Sequence, residues 1–203
     1  LRKKITQQEC TSIFELETDL LPVLFEMKTK GVRVDVEKAH QTKKDLTKIE
    51  KSLIDEIVKE TGVVVEPWVA TSVAKVFDAV GLPYSRTEKS DAPMFTKQFL
   101  SNQTHPIAQK IIKIREINKA NTTFVDTILE HSHNGRIHCD FHSLRSDGGG
   151  TVTGRFSSSN PNLQQIPARD PEIKKLIRGL FIPEEGHKWG SFDYASQEPR
   201  WLV

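Results

Sequence analysis

The strongest constraint on the fold is a long apolar stripe at helical spacing in the middle of the chain. Thr104-His105-Pro106 resembles a helix start, and six large apolar residues follow it three, four or seven positions apart. They are Ile107, Ile111, Ile114, Ile117, Phe124 and Ile128. Side chains at this spacing share one face of an α-helix, so the pattern predicts a helix that buries that face. A chain of 203 residues can bury one good core around it, or one core plus an extension.

A second helical pattern lies near the start of the chain. Thr11 or Ser12 is the predicted N-cap, Pro22 is predicted to interrupt the helix, and Gly31 to end it. The apolar stripe consists of Ile13, Leu16, Leu20, Leu24 and Met27. The spacing therefore predicts one more core-facing helix.

Two further helices are predicted between these segments, with a short one after them. Asp35 is a suitable cap for a long helix that ends at Gly62, and its apolar stripe is Leu46, Ile49, Leu53 and Ile57. Thr71-Ser72 opens a shorter helix that closes at Gly81-Leu82-Pro83. Residues 94–101 are expected to form another short helix.

Extended structure is predicted at three places. Val32, Val34 and Val36 alternate with polar residues, and Ile137, Cys139 and Phe141 do the same after an Asn134-Gly135 turn. Residues 188–192 mix polar and aromatic residues and are expected to form a short strand.

Residues 84–93 are polar, with two prolines flanking them, and are expected to form a loop. Residues 145–170 show no periodicity, which in a compact domain is typical of a binding loop.

Composition narrows the possible functions. Lys and Arg number 29 against 27 Asp and Glu, a net charge of +2, so the global charge does not indicate a polyanion partner. Cys10 and Cys139 are isolated, which excludes a paired-cysteine zinc site and argues against a disulfide framework. No apolar run is long enough to span a membrane. Four histidines lie within a dozen positions and form a candidate zinc site, although exposed polar residues are the simpler interpretation. They are His131, His133, His138 and His142.

Two segments contain residues suited to nucleic-acid chemistry. Residues 151–167 place hydroxyls, amides and one arginine on a glycine-rich backbone, which suits phosphate oxygens and minor-groove acceptors. The alternative is an ordinary Ser/Asn/Pro loop. Asp193 follows the predicted strand and is next to the carbonyl of Tyr194, and together they could begin a magnesium site. The alternative for Asp193 alone is a strand-end cap.

The order of these segments resembles DNA polymerase family A, the group of bacterial DNA polymerase I and many phage replicases. Residues 151–167 are similar to the family motif T-x-T-G-R-x-S-S-x-x-P-N-L-Q-x-I-P, and D-Y-x-x-x-E-x-R at 193–200 resembles the first acidic palm motif. Residues 115–124 resemble the R-E-L-x-K-x-x-S-T-Y stretch of the thumb. Two shorter matches are Gly31–Asp35 and Gly81–Pro83. Departures from the bacterial pattern, at 195–197 and at Pro199, are more typical of phage enzymes.

The resemblance implies a set of DNA-binding residues. In the loop, Arg155 is expected to reach into the minor groove at the primer terminus. The other implied loop residues are expected to contact the primer–template next to it. Basic and hydroxyl residues of the thumb-like helix are expected to follow the duplex backbone, although a solvated basic face would have the same composition. The implied residues are Thr151, Arg155, Asn162, Gln164 and Gln165 in the loop, and Arg115, Lys119, Thr122 and Thr123 on the helix.

The resemblance also implies catalytic residues and a cofactor. Asp193 is expected to bind two catalytic Mg²⁺ ions, with the Tyr194 carbonyl as a second ligand. Glu198 is expected to pack against the sugar of the incoming nucleotide and exclude a 2′-hydroxyl. Arg200 is expected to support this arrangement by pairing with acidic neighbours, and Arg169 to face the triphosphate.

The implied fold is α+β and mostly α, a helical thumb followed by the first part of an antiparallel palm sheet. Residues 1–24 are expected to connect to an upstream exonuclease-like domain, 25–135 to form the thumb, and 136–203 to begin the palm. The expected function is DNA-directed DNA synthesis on a primer–template from deoxynucleoside triphosphates, in the cytoplasm, or in the host cytoplasm or nucleoid if the protein is viral. A C-terminal polymerase fragment or chain is expected to supply the fingers and the second carboxylate, leaving this chain inactive alone. The alternative is a non-catalytic duplex-binding clamp; a nuclease would need clustered carboxylates that are not found.

Overall fold

Helices form most of the regular structure of the chain. The computed structural model describes residues 2–144, 146, 149–167, 170–196 and 200. The α-helices of these residues are α1 (Arg2–Gln7), α2 (Thr11–Lys30), α3 (Val36–Thr61), α4 (Ala70–Ala79), α5 (Lys97–Ser101), α6 (Pro106–Lys119), α7 (Asp126–Glu130) and α8 (Pro171–Arg178). A π-helix, Ala120–Val125, joins α6 to α7, and a 3₁₀-helix spans Leu163–Gln165. None of the helices described is long and apolar enough to cross a bilayer.

The strands are short and form three small antiparallel sheets in the part of the chain described. They are β1 (Val32–Arg33), β2 (Ser85–Arg86), β3 (Pro93–Met94), β4 (Ser132–His133), β5 (Arg136–Ile137), β6 (Asp140–His142) and β7 (Ser157–Ser159). The strand orders are β1-β5-β4, β2-β3 and β6-β7. The predicted fold class, α+β and mostly α, is confirmed.

The predicted apolar stripe begins in α6 and is buried except for partly buried Phe124. It contributes to two hydrophobic clusters. Ile107, Ile111 and Ile114 are fully buried in the first cluster, between α3, α4 and α5. At its centre the ring of Phe77 packs against that of Phe95, with centroids 4.8 Å apart. Ile117 belongs to the second cluster, which joins α3 and α7 to α8. One helix therefore connects the helical part of the chain to the segment that follows residue 136.

Helix α3 has the predicted ends. The Asp35 carboxylate accepts a hydrogen bond from the backbone N–H of Lys38 at 2.9 Å, as an N-cap does. Gly62 has a φ of 71°, in the left-handed region that closes a helix at low cost for glycine. Of the predicted stripe, Leu46 and Ile57 are buried, but Ile49 is 46 % exposed.

Helix α2 departs from prediction. Thr11 is its first residue, Cys10 precedes it without a side-chain cap, and the helix continues through Pro22. Proline lacks an N–H and so removes one backbone hydrogen bond, but the surrounding turns hold the helix together. None of the α2 residues is buried, since no described element covers the helix along its length. The apolar stripe of α2 correctly predicted a helix, but it wrongly predicted that the helix would be buried in the core.

Four other expectations are corrected. Residues 84–93 include β2 and the start of β3 rather than an unstructured loop, and the next helix begins only at Lys97, after a Thr96 cap. The strand predicted over 137–141 is divided, because Ile137 pairs with Val32 and Ser132 while β6 pairs with β7. Residues 188–192 form no strand, since no described segment pairs with them.

Candidate nucleic-acid interface

The loop predicted to bind nucleic acid is anchored by strand β7. Ser157, Ser158 and Ser159 pair with His142, Phe141 and Asp140 of β6. His142 Nε2 and Ser159 Oγ are 2.8 Å apart and share a hydrogen bond. Regular pairing thus holds the middle of a segment that lacks sequence periodicity.

Asn162 organises the second half of this loop. Its Oδ1 accepts hydrogen bonds from Ser158 Oγ at 3.1 Å and from the backbone N–H of Gln164 at 3.0 Å. It therefore caps the 3₁₀-helix and satisfies a buried hydroxyl, since Ser158 is only 6 % exposed. Gln164 Nε2 donates to the Phe156 carbonyl at 3.0 Å. The side chains of Asn162, Gln164 and Gln165 nevertheless remain exposed.

The first half of the loop is tied to itself. Thr151 Oγ1 donates to the Arg155 carbonyl at 2.7 Å and accepts from Thr153 Oγ1 at 3.2 Å. This turn exposes Arg155 on the surface, whereas Thr151 is half-buried. Thr151 thus holds the backbone that carries the predicted minor-groove arginine.

The thumb-like helix carries its polar residues where α6 passes into the π-helix. Lys119, Thr122 and Thr123 are all exposed there. Asn121 is buried instead and donates from Nδ2 to Thr47 Oγ1 at 3.0 Å, which fixes the π-helix against α3. A π-helix widens one turn and is frequent at functional sites.

The structure brings the loop and the helix together around two adjoining cavities. The first, of about 230 Å³, is lined by Thr123, Asn162 and Gln165 among others. The second, of about 470 Å³, is lined by Lys119, Gln165 and Asp170 among others. Residues some 40 positions apart in sequence therefore line one continuous surface of mixed polar and apolar side chains. Together with the neighbouring exposed residues Thr122 and Gln164, we call it the 119–165 face.

Arg115 does not lie on the 119–165 face. Its Nε donates to the Pro67 carbonyl at 2.7 Å, and its Nη1 to the Phe95 carbonyl at 2.8 Å. Burial lowers the pKa of the Arg115 guanidinium. The sequence does not predict these contacts, because nothing in the local pattern distinguishes a half-buried arginine from an exposed one on a half-polar helix.

The predicted metal ligands lie in an exposed segment without regular secondary structure. Asp193 and Tyr194 are exposed, and the backbone N–H of Arg200 donates to the Ser196 carbonyl at 3.2 Å. Arg169 and Glu198 lie outside the described residues. The carboxylate of Asp193 and the carbonyl of Tyr194 are oxygen donors of the kind Mg²⁺ prefers, but one carboxylate is an incomplete set.

A zinc site among the histidines is not found in the described part of the chain, where no three His, Cys, Asp or Glu side chains cluster suitably. His138 Nδ1 is 2.8 Å from the Lys28 carbonyl, and His142 bonds Ser159. Backbone and hydroxyl partners thus account for both histidines.

Asp140 supports the candidate loop, a role that the sequence pattern did not predict. Its carboxylate forms an ion pair with Lys28 of α2 and accepts from Asn160 Nδ2 at 2.8 Å. Lys28 and then Asn160 lower the pKa of Asp140. Asp140 therefore fastens the loop to the end of α2. Its only sequence signal was an acid on an otherwise half-buried strand.

Comparison with known proteins identifies the family. The family model "DNA polymerase family A" matches residues 36–203. A DNA-directed DNA polymerase of Pseudomonas phage M6 is 34% identical over 99% of this chain and 32% of its own length. DNA polymerase DpoZ of Acinetobacter phage SH-Ab 15497 is 32% identical over 97% of this chain and 35% of its own. The thermostable DNA polymerase I of Thermus aquaticus is 34% identical over 93% of this chain and 23% of its own length.

A solved structure agrees with the sequence matches. The polymerase domain of Pol1 from M. smegmatis, in complex with DNA primer-template and dNTP, superposes with a TM-score of 0.65 and 26% identity. The superposition covers 81% of this chain and 29% of that one. The chain spans about one third of the length of the phage relatives named above. From residue 36 to its last residue, the chain belongs to DNA polymerase family A.

Proposed function

We propose that this chain holds the primer–template and supplies the first metal-binding carboxylate of a DNA-directed DNA polymerase. Residues 25–135 would act as the thumb and 136–203 as the start of the palm, with 1–24 as a connector. The observation that supports this most is the 119–165 face, where the thumb-like helix and the polymerase-like loop line the same cavities. The family membership supports a primer–template duplex as the proposed ligand of this face.

The chemistry of the 119–165 face suits a duplex of any sequence. Lys119 offers a cation and Thr123 a hydroxyl for phosphate oxygens, which carry no sequence information. The Thr122 hydroxyl donates to the Asn118 carbonyl at 2.9 Å and would bind a phosphate by turning from it. The amides of Gln164 and Gln165 can donate to minor-groove acceptors, which A·T and G·C pairs share. Together with Arg155, these groups would bind the primer terminus without selecting its bases. A template-copying enzyme needs that property.

For nucleotidyl transfer, Asp193 is proposed as a shared ligand of two Mg²⁺ ions, with the Tyr194 carbonyl beside it. Bound Mg²⁺ would favour the ionised primer 3′-hydroxyl and neutralise charge on the triphosphate. The primer 3′-hydroxyl would lose its proton to solvent and its oxygen would form a bond to the α-phosphorus. The bond from that phosphorus to the pyrophosphate oxygen would break, and pyrophosphate would leave. We further propose Glu198 as the filter against a 2′-hydroxyl, Arg169 as a triphosphate contact and Arg200 as a support for this arrangement.

The relatives contain polymerase sequence that this chain does not cover. We propose that a C-terminal fragment or chain with that sequence supplies the second carboxylate and the fingers. With that part present, the assembly would incorporate deoxynucleotides, and the 203-residue chain alone would not. A polymerase active site that needs two metal ions needs more than one acidic ligand. Primer extension by the chain with and without the complementary part measures this directly, and extension by the chain alone would contradict the proposal.

The role of Asp193 is tested in the assembled polymerase with Asp193→Ala. We expect primer extension to fall by at least about 100-fold, as when one essential transition-state contact is lost. The Kd for primer–template should change by less than about threefold, because phosphate contacts lie elsewhere. Glu185→Gln, at an exposed carboxylate of the same segment, is the matched control and should leave both values unchanged. If Asp193→Ala leaves extension intact, the chain acts as a duplex clamp without a catalytic role.

A further inference from the structure

The cations of helix α6 differ sharply in what they contact. Arg115 is half-buried, and its guanidinium donates to two backbone carbonyls, those of Pro67 and Phe95. A partly buried cation is tolerated when its donors are satisfied, and charge-assisted bonds at 2.7 and 2.8 Å are of the strong kind. The nearest acid in sequence, Glu116, is bound by Lys97 at 2.8 Å.

The two carbonyls belong to segments that are far apart in sequence. Pro67 lies between α3 and α4, and Phe95 lies between β3 and α5. Phe95 also packs on Phe77 and Tyr84, with ring centroids 4.8 and 5.2 Å away. Arg115 therefore holds the unit formed by α4 and the β2–β3 hairpin against α6. Since α6 continues into the π-helix, Arg115 also sets where this unit stands relative to the 119–165 face.

Two lysines of α6 are committed to other helices. Lys110 Nζ lies 3.1 Å from Glu56 and 3.2 Å from Glu60, both on α3. Lys113 forms an ion pair with Glu172 in the first turn of α8. Among the described residues Lys119 has no ion-pair partner, and it is exposed at the end of α6 that borders the 119–165 face. The helix thus presents one uncommitted cation to a duplex.

We infer that Arg115 is a positioning residue and not a phosphate contact, and that Lys119 is the cation of α6 that binds the duplex. The inference rests on the proposed function, since it assigns roles within the same DNA-binding surface. It replaces the expectation, drawn from the sequence, that Arg115 follows the phosphate backbone. Lys110 and Lys113 serve to join α6 to α3 and α8.

The salt dependence of DNA binding separates these roles. Each phosphate contact by a cation contributes about 0.9 to the slope of log K against log salt concentration on B-DNA. We would measure Kd for a fluorescent primer–template at several salt concentrations with the 203-residue chain. Lys119→Gln should lower the slope by about 0.9. Arg115→Gln should keep the wild-type slope while raising Kd and lowering the melting temperature by about 3 to 12 °C, since charged hydrogen bonds are lost.

Arg115→Lys completes the design. It keeps the charge but cannot span two carbonyls as a planar guanidinium does. A positioning role predicts that it raises Kd and lowers the melting temperature as Arg115→Gln does, with the slope again unchanged. A phosphate contact predicts that Arg115→Lys retains wild-type affinity and that Arg115→Gln loses about 0.9 of the slope. The second pattern would overturn the inference.

Two further variants keep the inference testable if the Arg115 variants do not fold. Lys110→Gln and Lys113→Gln remove partly exposed ion pairs, which contribute little to stability, so both proteins should fold. Both should retain the wild-type slope, and a loss of about 0.9 in either would contradict the assignment of Lys119 as the α6 contact. If the wild-type chain shows no salt-dependent duplex binding, the proposed function itself fails. If the wild-type chain binds the duplex but the Arg115, Lys110 or Lys113 variants change the slope, only the roles assigned to the α6 cations are wrong.

Discussion

Replacing Asn162 by alanine should destabilise the polymerase-like loop by about 2 kcal/mol. Two hydrogen bonds end on Asn162 Oδ1, from Ser158 Oγ at 3.1 Å and from the Gln164 N–H at 3.0 Å. Losing an N-cap costs about 1 kcal/mol. Leaving the buried Ser158 hydroxyl unpaired costs about 1–3 kcal/mol, with ordinary non-additivity between neighbours. For a chain of this size, 2 kcal/mol corresponds to a fall in melting temperature of about 4–8 °C.

Asn162→Asp is the matched control, because a carboxylate can accept both hydrogen bonds and is a good N-cap. It should retain the wild-type melting temperature while weakening duplex binding, since it adds a negative charge beside phosphates. Asn162→Ala should weaken both. Thermal unfolding by circular dichroism and fluorescence anisotropy with primer–template DNA measure the two properties. An unchanged melting temperature in Asn162→Ala would refute the idea that this side chain holds the loop.

Three other variants test separate parts of the fold. Phe77→Ala should lower the free energy of unfolding, measured with a chemical denaturant, by about 3–5 kcal/mol, because the ring is fully buried. Trp68→Ala, at a residue 50 % exposed, should lower it far less. Equal losses would contradict the assigned core. Asp140 has a lowered pKa in the fold. Its charge therefore stabilises the fold above the unfolded-state pKa of about 3.9, and this stabilisation is lost as pH falls through the lower folded-state pKa. Asp140→Asn should reduce the loss of unfolding free energy on acidification below about pH 4, and a loss as large as that of the wild type would refute this. Gly62→Ala should cost about 1 kcal/mol through the left-handed φ alone, because no atom lies within 4 Å of the added Cβ; Gly62→Asn should cost less by thermal unfolding, and a larger cost for Asn would contradict that explanation.

The sequence predicted elements whose signals are local. Asp35 and Gly62 mark the ends of α3 because capping depends on a few neighbouring backbone groups. The α6 stripe was buried as expected, since its spacing continues over many turns. The stripe of α2 has the same spacing but no described partner, and periodicity cannot report which surface a helix meets. The strand predicted at 188–192 failed for a similar reason, because strand formation requires a pairing partner.

The candidate site was predictable only in part. The motif at 151–167 located the loop, and the thumb-like motif located Lys119, Thr122 and Thr123. Tertiary structure was needed to show that these segments share two cavities. It was also needed to distinguish Arg115, bound to two carbonyls, from exposed Lys119 a single turn away. The Asp140–Lys28 contact spans 112 positions, and no local pattern reports a pairing at that distance.

The central claim is that the helix and loop portions of the 119–165 face bind one duplex together. Amide hydrogen exchange of the chain, with and without primer–template DNA, tests it most directly. The claim predicts slower exchange on DNA addition in peptides that contain Thr122–Thr123 and in those that contain Leu163–Gln165, with no change in the β2–β3 hairpin. Protection confined to one of the two segments, or absent from both, would contradict it.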